Sequence, residues 1–312
     1  MGLSAAFHEL AAEVRNWGRW GDHDPIGTLN LLTDETVKAA ATSIETGERI
    51  SLAMPLHHDG PQLGAIPGRV NPLHAMVSIN TPSLGDPDGF CTNDDVVTMG
   101  LQAATHWDGL GHVSYGGRLY NGVRAATVTA EGGVTTLGIE NVRSLTGRGV
   151  LLDIAGLLDV DVVAGDTIIT GAMLDDAAAA GAVDVRRGDI VIIRTAWTRH
   201  LDAGDKPAYA GWTQGSPGPG FDAVRWFHRH ELAAVATDTY VFEAFPGEDP
   251  DAMLGVHLAD IVDMGLTQGQ NWLLDDLAAA CAVDGRYDFF LEASPQPVVG
   301  GAGSPVNPVA IR

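Results

Sequence analysis

The sequence predicts one α/β domain over residues 1–312, built on a mixed sheet flanked by helices. Three observations predict it. Val150–Ile154 and Ile190–Arg194 are continuous β-branched runs, the pattern of strands buried on both faces. Helical stretches fall between such runs, as at Ala172–Ala180 and Asp222–His230. Candidate strands are spread evenly along the chain, with no internal repeat, low-complexity tract or linker to divide it.

Taken in order, Phe7, Leu10, Ala11 and Val14 share a helical face between Leu3 and Trp17, and Thr33 is placed to cap a helix over Asp34–Thr42. Trp20–Asn30 is a loop rich in Gly, Asp and Pro. Ile50–Met54 and Ala75–Ile79 read as short strands. The segment between them, His57–Leu73, is long and irregular, a property found more often in functional loops than in simple connections. Beyond the central β and α units, Ala233–Ala236 is a strand that ends at Thr237 and Asp238. Pro250–Met264 and Asp275–Cys281 read as helices and Tyr287–Glu292 as a strand. Turn-rich Pro295–Pro308 leads into a last short strand.

With 45% apolar residues the chain can fill a core. A net charge of −22 and a pI near 4.6 repel nucleic acid and anionic membrane, and no Lys/Arg cluster offsets this locally. Lys38 and Lys206 are the only lysines, and neither sits in an apolar stretch that would make it a Schiff-base nucleophile. Two cysteines, Cys91 and Cys281, are too few for a disulfide framework, so a reducing cytoplasm is expected. No export signal and no run of about 20 apolar residues is visible. Gly218, Gly220 and Ala223 spell GxGxxA, but Pro217 and Pro219 and the lack of a preceding strand make it a loop rather than a dinucleotide site. GxSxG and Walker signatures are missing, and Asp86, Asp88 and Gly89 form a turn rather than a calcium loop.

The informative stretch is QAATHWDGLGH, Gln102–His112. If Leu101–Asp108 is extended, Gln102, Ala104, His106 and Asp108 lie on one face, and an imidazole and a carboxylate point to the same space. Mixed N and O donors suit Zn²⁺ or Mn²⁺. Gly109 and Gly111 permit a tight bend that returns His112 to that space as a proton shuttle. A structural His–Asp pair has the same spacing.

The stretch resembles HxGTHxDxPxH, the signature of the cyclase-like metal hydrolases that include kynurenine formamidase and isatin hydrolase. Thr105, His106, Asp108 and His112 match, whereas Gln102, Ala104 and Leu110 stand where the signature has His, Gly and Pro. YGGRLYNG (Tyr115–Gly122), GDIVIIRTAW (Gly188–Trp197) and GSPVNPVAI (Gly303–Ile311) are similar to longer bacterial members. The resemblance implies a cyclase-like fold with a barrel-like sheet, His106 and Asp108 as metal ligands and His112 as general acid/base. It further implies that His257 and Gln270 stand for the His and Glu that complete the site, and that the protein forms a homodimer or larger homo-oligomer. Gln102 and Gln270 lower the charge available, which favours one divalent ion, Mn²⁺ or Zn²⁺, with Gln270 as an amide-oxygen ligand and Gln102 and His257 at the metal or substrate.

The function expected is hydrolysis of a C–N bond in a small aromatic or cyclic amide by metal-activated water, with a small-molecule amide, imide or lactone as the binding partner. Lactone hydrolysis, polyketide-type cyclisation or dehydration, and ligand binding without catalysis are the alternatives. His257 also fits a core histidine, Gln270 the residue before a helix cap, and Asp238 a turn cap or a support for the site. The tryptophans Trp17, Trp20, Trp107, Trp197 and Trp212 read as core packing, and His57, His58 and His74 as exposed.

Overall fold

The β-branched runs lie side by side. In the computed structural model, which describes residues 2–312, the strands are β1 Arg49–Ser51, β2 Leu73–Pro82, β3 Cys91–Thr98, β4 His106–Asp108, β5 Thr146–Asp153, β6 Ile168–Ile169, β7 Ile190–Arg194, β8 Gly218–Pro219, β9 Ala234–Thr237, β10 Thr267–Gln270, β11 Asp288–Glu292, β12 Gly303–Pro305 and β13 Val309–Ile311. Nine of them form one sheet in the order β1-β13-β11-β5-β7-β9-β10-β4-β12. The stretch β5-β7-β9-β10 is parallel and every other pairing is antiparallel, so the sheet is mixed.

Chain connectivity forces this sheet to curl. β12 and β13 stand seven positions apart in the order, which would be about 34 Å in a flat sheet. Only residues 306–308 join them, a link that reaches about 15 Å at most. The free edges approach, and Ala53 just beyond β1 bridges to Trp272 just beyond β10.

Alternation then separates two cores. Leu151, Ile192, Ala236, Phe289 and Leu291 point into the curl with Trp107 and Trp272. Val150, Leu152, Val191, Ile193 and Val235 point outward beneath the helices Ala5–Val14, Gly171–Ala180 and Phe221–Arg229. Each large apolar side chain so buried contributes about 1.5–3 kcal/mol. The first helix starts where Ser4 accepts from Phe7 N, and its buried face is Phe7, Leu10, Ala11 and Val14. Thr33 and Thr36 form a capping box at Asp34–Ala40, and Thr170 caps Gly171–Ala180.

Four sequence expectations change. Leu101–Asp108 is not extended throughout: Ala103 N bonds to Gly100 O in a turn, and only His106–Asp108 is strand, the length that β10 and β12 offer for pairing. Pro250–Met264 is not one helix. Leu254 is left-handed (φ 56°), after which a single α turn, Gly255–His257, passes into π-helical Leu258–Met264. The Glu243 carboxylate caps that start by accepting from Val256 N and His257 N, so a distant residue sets the boundary. Ala75–Ile79 is part of a longer strand, β2, paired with β3 in a hairpin that stands in solvent. Trp212 is half exposed (51%) instead of packed, while Trp107 and Trp197 are in the core as expected. No helix among the described residues is long and apolar enough to cross a membrane.

Candidate active site

β4 lies between β10 and β12, with Gln270 opposite His106 and Gln268 opposite Asp108. The pleat therefore puts His106, Asp108, Gln268 and Gln270 on the helix side of the sheet and Trp107 and Gly269 inside the curl. The Trp107 indole donates to Ala293 O at 2.8 Å and meets Trp272 edge-on, so it faces away from the polar cluster as the alternation predicts. Gly269 has no room for a side chain, since a Cβ would lie 2.8 Å from Ala236 and from both indoles.

His106 Nδ1 donates to Ala104 O at 2.7 Å, which leaves Nε2 as the lone-pair nitrogen. That Nε2 is 3.5 Å from Asp108 Oδ1, and both atoms are buried without a hydrogen-bond partner. A turn closed by His112 N to Gly109 O brings His112 back, with its Nε2 also 3.5 Å from Asp108 Oδ1. Gly111 allows the return, because a Cβ there would come within 2.1 Å of Val134. Burial by itself would raise the Asp108 pKa, but the imidazoles of His112 and His106, where protonated, outweigh it and hold the carboxyl far below the usual range. Burial lowers the His112 pKa, with Asp108 opposing and His257 and Arg69 adding to the fall. The imidazole of His112, 18% exposed, is therefore a neutral base at the rim of a buried carboxylate.

The facing wall was not legible. Glu243 is buried and accepts from His257 Nδ1 at 2.6 Å, in addition to the two backbone bonds that start the helical turn. This fixes the His257 tautomer and turns Nε2 toward Gln270. Gln270 Nε2 donates to Asp108 Oδ2 at 2.7 Å and lies 3.3 Å from His257 Nε2, so its amide ties both walls together. The only sequence signal for Glu243 is a carboxylate inside the apolar run VFEAF. Asp260, one turn beyond His257, is fully buried with neither oxygen partnered, and burial beside Glu243 pushes its pKa well up.

Five of the six expected residues thus converge: His106, Asp108, His112, His257 and Gln270. Gln102 is half-buried and off the strand, with its amide nitrogen beside Gly303, 2.7 Å from where a Cβ would stand. Asp238 turns away to hold Thr195, accepting from its N and Oγ1. His57, His58 and His74 are exposed. The atoms placed to hold a cation are His106 Nε2 and Asp108 Oδ1, with His112 Nε2 beside them. Among the described residues no three His, Cys, Asp or Glu side chains already form a ligand set. A cleft of about 620 Å³ lies by this end of the sheet, bounded by Met54, Leu56, Val97, Met99, Pro305 and Val306. A separate hollow of about 340 Å³ lined by Arg148, Arg186, Arg187 and Arg286 is remote from the cluster, and Arg148, Arg187 and Arg286 there are bound to acidic side chains.

The Cyclase family model, described as "Putative cyclase", matches residues 50–244. The chain belongs to this family. A cyclase-family crystal structure described as a novel cyclase is 39% identical, covers 97% of this chain and 99% of its own, and superposes with a TM-score of 0.87. Isatin hydrolase A from Labrenzia aggregata, bound to benzyl benzoate, has the same fold at 18% identity, with coverage of 89% and 97% and a TM-score of 0.62. A predicted metal-dependent hydrolase from Bacillus stearothermophilus follows at 16% identity, 84% and 97% coverage and a TM-score of 0.50. No curated protein matches the chain in a sequence search. The mixed, curled sheet is therefore the cyclase-family fold.

Proposed function

We propose that this cyclase-family chain is a hydrolase that cleaves a C–N bond of a small aromatic or cyclic amide, using one divalent ion, Mn²⁺ or Zn²⁺, held by His106 and Asp108. The observation that carries the reading is the pair of buried, unpartnered atoms His106 Nε2 and Asp108 Oδ1 at 3.5 Å. Two lone-pair atoms that face each other away from water are costly unless positive charge lies between them. These residues fit one such ion. They do not fit two, because Gln102 and Gln270 supply neither an imidazole nor a carboxylate. For Gln270 to act as a ligand its amide must turn end for end and give up the bond to Asp108.

When bound, the ion would supply a water of lowered pKa and polarise a carbonyl. The protein groups would do the rest. His112 Nε2, neutral and at the rim, would accept a proton and return it to the departing nitrogen. Glu243 would keep His257 Nε2 directed into the site, where it can hydrogen-bond a substrate. The solved hydrolases of this fold support the reading.

Protein purified without chelator should carry about one equivalent of metal, and a panel of formanilides, imides, lactams and lactones with added Mn²⁺ or Zn²⁺ should yield a new carboxylate. A metal-free protein that turns over none of them would overturn the proposal. The occupied amide of Gln270 favours a second reading, a protein that closes a ring or merely binds its ligand. Product analysis separates these, since cyclisation creates no carboxylate.

A further inference from the structure

Asn271 follows the last residue of β10 and sits in the left-handed region (φ 61°), which Gly and Asn enter at least cost. From there it grips the residues that lead into β4. Asn271 O accepts from Thr105 Oγ1, which itself accepts from Met54 N, and Asn271 Nδ2 donates to Ala104 O at 3.2 Å. Ala104 O is the same oxygen that accepts from His106 Nδ1 at 2.7 Å. A carbonyl has two lone pairs, and this buried one gives one to the ring and the other to the amide.

The direction in which the amide faces is fixed from behind. Tyr209 Oη donates to Asn271 Oδ1 at 2.8 Å, closer than its other acceptor, Asp238 O at 3.2 Å, so Nδ2 is the end that meets Ala104 O. Burial pushes the Tyr209 phenol well above its ordinary pKa of 10 and keeps its proton in place.

The His106 ring has two acceptors that compete for its one proton. Ala104 O lies 2.7 Å from Nδ1, and Asp108 Oδ1 lies 3.5 Å from Nε2. A buried carboxylate is the stronger acceptor, and if it took the proton the ring would lose its lone pair on Nε2. The closer approach of Ala104 O keeps the proton on Nδ1. We propose that Asn271 is a positioning residue that orients the His106 ring by holding Ala104 O against Nδ1, with Tyr209 fixing the amide that does so. The consequence for metal rests on the reading of His106 as a ligand; the orientation of the ring does not.

Long-range proton–nitrogen spectra of the metal-free, full-length protein labelled at histidine read the tautomer directly. In the wild type the His106 proton should sit on Nδ1. Asn271→Gly suits the left-handed backbone and removes only the amide, and it should move His106 toward the Nε2–H form. His257, whose Nδ1 is held by Glu243, should not move, whereas a site that is merely loosened shifts both rings. Tyr209→Phe deletes one oxygen and should move His106 the same way by less, which decides the matter if the glycine variant does not fold. In Asn271→Gly the dissociation constant for Mn²⁺ or Zn²⁺ should rise about 10- to 100-fold. A wild-type His106 protonated on Nε2, a tautomer unchanged in the folded variants, or an equal shift of His257 overturns the inference. If the wild type binds neither ion while the tautomer shifts as expected, the hydrolase reading fails and the positioning of His106 stands.

Discussion

At the scale of single residues, His106 and His112, which share the Asp108 carboxylate, have separable roles. His106 presents a fixed lone pair, so His106→Ala should lose both bound metal and turnover, read by metal analysis and rate on the same sample. His112 stands at the rim, and His112→Ala should keep the metal while kcat falls by about 10²–10⁴. A variant with intact hydrolysis would remove the proton-transfer role. Burial lowers the His112 pKa below its ordinary 6.5, so the base form is present above that lowered value and is lost as pH falls through it. The acidic limb of kcat/KM should therefore lie below pH 6.5, and a limb above it would contradict the assignment. The His–x–Asp spacing made His106 and Asp108 legible. Glu243 was not, because nothing local shows that a carboxylate 14 residues before His257 will hold its ring.

At the scale of elements, the site depends on short pieces that local propensity does not specify. β4 and β12 have three residues each, too short for an alternation pattern, and each is strand because its neighbours supply partners. The α turn at His257 begins on a carboxylate from elsewhere in the chain. By contrast β7 and the helices Gly171–Ala180 and Phe221–Arg229 followed the sequence reading within a residue or two, since each carries its own buried run or stripe. One glycine tests how the short pieces are held. A Cβ on Gly218 would fall 2.4 Å from Phe242 O and from the Glu243 carbonyl carbon, so Gly218→Ala must push the backbone that positions Glu243. We expect a stability loss of about 1–3 kcal/mol by denaturant melting, together with a fall in turnover. Unchanged turnover in a destabilised protein would show that Glu243 need not be placed so closely.

At the scale of the whole molecule, closure of the sheet depends on its last strand. β13 lies between β1 and β11, so truncation after Pro308 would expose two strand edges and release the link that draws the free edges together. Such a protein should lose its near-UV circular dichroism and aggregate; a cooperative melt near the wild-type value would refute this account. The net charge of −22 repels itself across a compact surface, so moderate salt should raise the melting temperature by screening. The sequence by itself determined which runs become buried strands and helices, the class of the fold, and that His106, Asp108 and His112 come together, because each of these follows from contacts within a few residues. Only the tertiary structure decided that the sheet curls, that Gln102 lies off the strand, that Gln270 donates to Asp108, and that Glu243 aims His257. Those depend on how separate elements meet, from the 14 residues between Glu243 and His257 to the 162 between Asp108 and Gln270, and no local periodicity encodes such a meeting.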